Sequence, residues 1–128
     1  MLRRILVAVF LPLMAVPVAA QPPVPARPPC LQQINIWDYQ PVAGNRAMIV
    51  TDRGRVRYRL TFLNTCYNLQ HHLGVAFKTF GTSNLSCVAK GDQVLFRDVA
   101  TPGRCIVKDV QYQTPEMDKA DAAAKAAR

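Results

Sequence analysis

Hydrophobic and polar residues alternate with a period of two along short segments of the chain after Ile34. The clearest segment is 55–62, where Val, Tyr, Leu and Phe share one parity and three arginines and a threonine share the other. Such a period is typical of a strand with one buried face. Similar segments recur at intervals of roughly ten residues, with Gly, Asn, Asp or Pro between them. We therefore predict six strands, at about 34–39, 46–51, 55–62, 75–80, 93–98 and 105–112.

Turn-forming residues separate these strands. Asp52-Arg53-Gly54 predicts a hairpin between the second and third strands, with Gly54 able to take a positive φ. Ala89-Lys90-Gly91-Asp92 turns into the fifth strand, and Thr101-Pro102-Gly103 leads from it towards the sixth. The predicted fold class is all-β, a small antiparallel barrel-like or strongly bent sheet of about six strands, held by disulfides.

The N-terminal segment has the pattern of a cleavable secretory signal peptide, residues 1–20. Two arginines precede an apolar run over 5–18, and small residues follow it. About 14 apolar residues interrupted by two prolines are too few to span a membrane, which needs about 20. We expect cleavage near Ala20-Gln21, which leaves an exported protein, periplasmic or secreted, without a transmembrane anchor.

The mature chain divides into three parts. Residues 21–29 contain five prolines and predict an extended leader without a core of its own. Residues 30–113 form the β domain, near the size at which a hydrophobic core alone gives marginal stability. Residues 114–128 begin with proline and acidic residues and end with basic ones, which suits the helix dipole. Because this Ala-rich tail lacks an apolar face, we expect it to be weakly helical or disordered.

Four cysteines lie within the β domain, and an even number in an exported chain predicts two disulfide bonds. None are spaced as Cys-x-x-Cys, which disfavours a redox site or a zinc ribbon. In an up-and-down meander, Cys30 and Cys87 lie at one end of the sheet, and Cys66 and Cys105 at the other. Because bridged Cα atoms lie within about 7 Å, this favours Cys30–Cys87 and Cys66–Cys105. A crossover connection in place of one hairpin would favour another pairing.

Arginine side chains concentrate in the second and third strands. Loss of the signal leaves 14 basic and 8 acidic side chains, a net charge of +6 that favours acidic partners. Three arginines on one strand face, about 6.6–6.8 Å apart, suit successive phosphates or sulfates, and a fourth is expected beside them across the hairpin. A second interpretation is that these cations protect an exposed strand from edge pairing. The candidate anion-binding residues are Arg46, Arg53, Arg55, Arg57 and Arg59.

No residue pattern indicates an enzyme, a metal site or a cofactor, and we expect none. His71 and His72 are adjacent in a predicted loop, and with the cysteines oxidised no thiolate remains to complete a zinc site. Ser83 and Ser86 lie on a polar loop without the surroundings of a catalytic nucleophile. Trp37 faces either solvent or the core, depending on register, and the core is the commoner position.

A set of spaced cysteines and hydrophobic positions runs through the whole domain. Its members are Cys30, Ile36-Trp37, the segment 46–50, Tyr58, Cys66, Leu69, the segment 77–79, Ser86-Cys87, Gly91-Asp92 and the segment 105–107. This set resembles a family of small exported bacterial proteins, one of the groups defined by a domain of unknown function. The resemblance implies a Gram-negative envelope setting and carries over no catalytic or ligand-binding residue.

Together these observations favour a non-enzymatic, exported binding or accessory module whose arginine face contacts an anionic envelope component or protein. An alternative is a small secreted inhibitor or stabiliser of another protein, acting through a disulfide-fixed loop at 64–74. A small hydrolase using His71 or His72 is a weaker alternative. Specific nucleic-acid recognition is not expected, since the stacking-aromatic motif of RNA-binding domains is absent from the sequence.

Overall fold

The computed structural model describes residues 23–71, 74–81, 83, 85–97 and 102–127. Its strands are β1 (Ile36–Pro41), β2 (Ala47–Asp52), β3 (Arg57–Phe62), β4 (Val75–Lys78), β5 (Gln93–Arg97) and β6 (Pro102–Tyr112). One α-helix, α1, spans Pro115–Ala126, and short 3-10 helices span Gln33–Asn35 and Leu69–His71. The predicted all-β fold class is confirmed. The expected signal peptide, residues 1–20, lies outside the described residues.

The six strands form one antiparallel sheet in the order β1-β2-β3-β6-β5-β4. Strand β6 is the longest, with 11 residues. Its C-terminal half pairs with β3, where Val110 lies opposite Leu60, and its N-terminal half pairs with β5, where Cys105 lies opposite Val94. The sheet curls into a half-barrel, so two three-stranded halves share one core.

The simple meander expected from the sequence is wrong in one respect. Strand β3 lies beside β6 and not beside β4, because the connection after β3 carries the chain to the far edge of the sheet. All neighbouring strands are nevertheless antiparallel, so successive strands still alternate in direction. The chain therefore leaves β3 at the end of the sheet at which β6 begins.

Two disulfide bonds join the sheet at its two ends. Cys30 is bonded to Cys87 with Cα atoms 4.8 Å apart, and Cys66 is bonded to Cys105 with Cα atoms 5.9 Å apart. These are the pairs that the alternation of strand direction favours. They close loops with sequence separations of 57 and 39 residues. In the chain-entropy model, each stabilises the fold by about 4 kcal/mol.

Burial follows the period-two pattern in β3. Tyr58, Leu60 and Phe62 are at most 5% exposed and point into the core, while Arg57 and Arg59 lie half-buried on the outer face. Strand β3 is central in the sheet, between β2 and β6. Protection of an exposed edge therefore does not explain its arginines. The largest fully buried side chains of the core are Leu31, Met48, Val50, Leu60, Leu69, Val94 and Val107.

The β2–β3 hairpin is present, but its turn differs from the predicted one. Arg55, and not Gly54, takes the left-handed conformation, with a φ of 67°. Two hydrogen bonds to Asp52 close the turn around this residue. The Asp52 carbonyl accepts from the Arg55 N–H at 3.0 Å, and its carboxylate accepts from the Val56 N–H at 2.9 Å.

Two of the three residues predicted to form the turn before β6 lie in the strand itself, and the third, Thr101, lies outside the described residues. Pro102 pairs with Arg97, and Gly103 pairs with Phe96, so both residues belong to the strand. A proline is tolerated at the first residue of a strand. At Gly103 a side chain would overlap the ring of Phe96, so the glycine lets that ring pack over β6.

The Ala-rich tail folds as α1. The Thr114 hydroxyl accepts a hydrogen bond from the Met117 N–H at 3.3 Å, and Pro115 occupies the first turn, which together define the start of the helix. None of the residues of α1 is buried. In the described part of the chain, no helix has the length and apolar character needed to cross a membrane.

Candidate anion-binding surface

The five candidate arginines fall into three groups. Arg46 precedes β2, whereas Arg53 and Arg55 lie in the β2–β3 turn at the opposite end of that strand. Arg57 and Arg59, which we call the outer pair, project from the outer face of β3. The single arginine face predicted from the sequence is therefore wrong in its geometry.

Two backbone features break up the predicted row. The Phe62 N–H donates to the Arg46 carbonyl at 2.9 Å, so Arg46 adjoins the end of β3 that is far from the turn. Because Arg55 has a left-handed φ, the alternation of side-chain direction along β3 does not extend back to Arg55. Only the outer pair keeps the period-two spacing on one face.

The outer pair is bound to helix α1 through two bidentate ion pairs. Arg57 donates to the two carboxylate oxygens of Asp118 at 2.6 and 2.9 Å. Arg59 donates to those of Asp121 at 2.7 and 3.1 Å. The four side chains retain between 18% and 34% of their exposure, so both pairs are partly shielded from water. Paired guanidinium and carboxylate groups in this geometry form the strongest class of charged hydrogen bonds.

Gln113 connects the two ion pairs. Its side chain is almost fully buried, and its amide nitrogen donates to Asp118 at 3.1 Å and to Asp121 at 3.2 Å. Its amide oxygen accepts from Arg59 at 3.4 Å, and its backbone N–H donates to the Arg57 carbonyl at 2.9 Å. Gln113 and the two aspartates were missed in the sequence. The available signal was the i, i+3 spacing of the aspartates, which places both on one face of a helix.

The turn patch, which we define as Trp37, Arg53 and Arg55, is exposed in contrast. The Arg53 N–H donates to the Asn35 carbonyl at 2.8 Å, which holds the turn against the start of β1. Both arginine side chains are exposed, and neither has an ion-pair partner among the described residues. The Asp52 carboxylate at the base of the turn is engaged by the Val56 N–H and the Tyr58 hydroxyl.

Trp37 faces solvent, with 74% of its surface exposed. The more common core position expected from the sequence is therefore wrong. The reason is a β-bulge: Ile36 pairs with Asp52 and Asp38 with Thr51, so Trp37 is left without a partner opposite it. An extra residue of this kind re-aims a side chain at the edge of a sheet. A large apolar ring thus lies in solvent on β1, the strand whose start is hydrogen-bonded to the turn that carries Arg53 and Arg55.

Tyr58 supports the turn patch from inside the core. Its hydroxyl donates to the Asp52 carboxylate at 3.3 Å, and its ring lies 5.4 Å from that of Tyr112. Burial, and after it the charge of Asp52, raises the pKa of Tyr58 to about 12. The neutral phenol is therefore the form that holds the turn in place.

The loop after β3 forms a second exposed feature. Cys66 is buried and fixed to β6 by its disulfide, while the adjacent Tyr67 is 79% exposed. Asn68 has a positive φ of 63°, and Leu63 is 51% exposed beside this loop. The disulfide therefore holds an apolar side chain in solvent.

The remaining candidate residues from the sequence are two histidines and two serines. His71 ends a 3-10 helix, while His72 lies outside the described residues. Ser83 and Ser86 belong to one turn, in which the Ser86 N–H donates to the Ser83 carbonyl at 3.0 Å. Among the described residues, no group of three or more His, Cys, Asp or Glu side chains is placed to hold a metal ion.

The fold and this surface define a small, disulfide-bonded β protein with an exposed basic and aromatic patch. A model of a family of unknown function, DUF6491, matches residues 1–128, and the chain belongs to that family. Comparisons with curated proteins and with solved structures find no match. The two disulfides are consistent with an extracellular or periplasmic location.

Proposed function

We propose that this protein is an exported, non-enzymatic binding module whose turn patch contacts an anionic envelope component. The observation that carries the proposal is the exposed pair Arg53 and Arg55, which has no ion-pair partner among the described residues and lies in a turn hydrogen-bonded to the start of β1, the strand of the exposed Trp37. Such an arrangement offers bidentate contacts to phosphate or sulfate groups and an apolar surface for the adjoining part of the partner.

The chemistry of the patch favours anions over other partners. The nearby carboxylate of Asp52 is already hydrogen-bonded and does not form an ion pair with either arginine. An exposed tryptophan on an edge strand, beside cations, supplies the aromatic and arginine side chains that are enriched where proteins bind partners. The surplus of basic residues attracts polyanions at long range.

Retention on immobilised heparin tests this proposal. We expect Arg53→Gln/Arg55→Gln to elute at lower salt than the unmodified protein, because two phosphate- or sulfate-type contacts are lost. The matched control is Arg46→Gln/Arg104→Gln, which removes the same charge from two exposed arginines outside the patch. Equal elution of the two double variants would reject the turn patch as the binding surface.

The exposed loop favours a second candidate function, that of an inhibitor or stabiliser of another protein. Its specific observation is Tyr67, held in solvent next to the Cys66–Cys105 disulfide. Under this candidate, a pull-down from the native envelope recovers one protein in a defined ratio, and Tyr67→Ser abolishes its recovery. Trp37→Ser is the control of similar exposure. Loss of recovery with Trp37→Ser alone would contradict this second candidate.

A further inference from the structure

Charge, and not apolar packing, holds helix α1 on the sheet. Two bidentate ion pairs join it to β3, the Gln113 amide donates to both of its aspartates, and none of its residues is buried. A cleft of about 200 Å³ remains beneath the helix, lined by Ile49 of β2 and by Ala122 and Lys125 of α1. A helix seated by hydrophobic packing would fill such a space with side chains.

The outer pair already has the geometry of a site for two anionic groups. Arg57 and Arg59 are alternate residues of one strand, so their Cα atoms lie about 6.6–6.8 Å apart. Each guanidinium group donates two hydrogen bonds to one carboxylate. The same fork fits phosphate and sulfate oxygens. The carboxylates of α1 therefore stand where the charged groups of an external partner would bind.

The outer pair and the turn patch adjoin each other. A small cleft of about 60 Å³ is lined by Arg55 from the turn, by Arg57 from β3 and by Asp118 from the helix. Departure of Asp118 would join the free arginines of the turn to those of the outer face. The bound helix thus closes the outer pair and leaves the neighbouring arginines of the turn open.

We propose that α1 is an internal competitor, which occupies the outer pair until an oligoanion bearing successive phosphate or sulfate groups displaces it. The inference rests on the proposed function, since both invoke the same class of partner. Binding would begin at the open turn patch and extend onto Arg57 and Arg59 as the helix leaves. The apparent affinity of the intact protein is then the intrinsic affinity multiplied by the fraction of molecules in which α1 is released.

The test uses the full mature chain, a short inorganic polyphosphate as probe, and Asp118→Asn/Asp121→Asn as the principal variant. We expect this variant to bind polyphosphate about tenfold more tightly, because its helix no longer competes. Asp38→Asn/Asp109→Asn is the matched control, since it makes the same change in net charge at two exposed acidic residues outside α1 and its ion pairs. Adding Arg57→Gln/Arg59→Gln to the principal variant should abolish the gain.

Hydrogen exchange supplies a readout of helix release. In the unmodified protein, polyphosphate should speed amide exchange across 116–126, because a released helix of this length frays in water. An equal affinity of the principal variant and its charge control would overturn the proposal, as would unchanged exchange in α1 at saturating polyphosphate. If the principal variant gains no affinity for polyphosphate while Arg53→Gln/Arg55→Gln still lowers heparin retention, only the role of α1 as a competitor is contradicted. If the principal variant gains affinity but Arg53→Gln/Arg55→Gln leaves heparin retention unchanged, only the binding role of the turn patch is contradicted.

Discussion

Two pairs of arginines, separated by one residue in the same hairpin, have opposite surroundings. Arg53 and Arg55 are exposed in a turn and lack an ion-pair partner among the described residues. Arg57 and Arg59 are each bound by a carboxylate of α1. The difference arises from the backbone, because the strand that presents the second pair to the helix begins only after the left-handed residue Arg55.

This comparison shows that a run of cations has no single role. The outer pair holds the C-terminal helix in place, and the turn pair is left available to solvent. Ion-paired and solvent-exposed arginines therefore lie two residues apart on one strand and its turn. The following predictions test this division, from the largest expected effect to the smallest.

Tyr58 lies between the two members of the outer pair in sequence and supports the turn from the core, so its ionisation should affect the hairpin. Its pKa is about 12 in the folded protein against an ordinary value of 10.0, so the folded state holds the phenolic proton more tightly. The stabilisation is complete below pH 10 and is lost as the pH rises towards 12, by about 2–3 kcal/mol in total. Urea unfolding measured across this range gives the free energy of unfolding.

The Tyr58→Phe variant keeps the buried ring and removes the ionisable group, so its stability should fall less between pH 10 and pH 12. Tyr67→Phe is the matched control, because Tyr67 is exposed. It should show the same alkaline loss as the unmodified protein. An equal loss in Tyr58→Phe would contradict the assigned role of the phenol.

Replacement of one arginine from each pair should separate them in stability. Arg59→Met leaves Asp121 and Gln113 partly buried without their cation, which we expect to lower the free energy of unfolding by about 1–2 kcal/mol. Arg53→Met should change it by no more than about 0.5 kcal/mol, as is usual for an exposed side chain. Urea unfolding at neutral pH measures both. Equal changes in the free energy of unfolding of Arg59→Met and Arg53→Met would contradict a stabilising role for the ion pairs with α1.

The smallest effect concerns the surroundings of Trp37, the single tryptophan of the chain. The ratio of iodide to caesium quenching of its fluorescence should be higher than for free tryptophan, because the exposed cations of the turn attract an anion. Arg53→Gln/Arg55→Gln should reduce iodide quenching by less than about twofold, since salt screens such surface charges. Arg57→Gln/Arg59→Gln should leave it unchanged. If Arg57→Gln/Arg59→Gln reduced iodide quenching instead, Trp37 would lie nearer to the outer pair than to the arginines of the turn.

Much of the fold follows from local pattern, and the exceptions have physical causes. The period of two in β3 located a strand and its buried face, since alternation is a property of the strand itself. The pairing of β3 with β6 depends on a crossover, which nothing in either strand encodes. The disulfide pairing could be predicted from the sequence because it depends only on the direction in which each strand runs.

The candidate surface was less predictable than the fold. Ion pairs between Arg57 and Asp118, or Arg59 and Asp121, join residues 61 and 62 positions apart, beyond any local pattern. The β-bulge at Trp37 depends on the register between β1 and β2, and one residue of slip reverses the face of a side chain. The basic composition predicted an anion-binding tendency, but only the tertiary structure shows which arginines lack an ion-pair partner among the described residues.

The disulfide connectivity constrains the order of events as the chain is made. The bonds interlace, because Cys66 lies within the loop closed by Cys30–Cys87 and its partner Cys105 lies outside. In a chain that enters an oxidising compartment N-terminus first, the first two thiols to arrive are those of Cys30 and Cys66, which do not pair in the folded protein. Both must stay reduced, or be reshuffled, until Cys87 and then Cys105 arrive. The native bond of Cys66 therefore cannot form until β6, the strand that joins the two halves, has arrived.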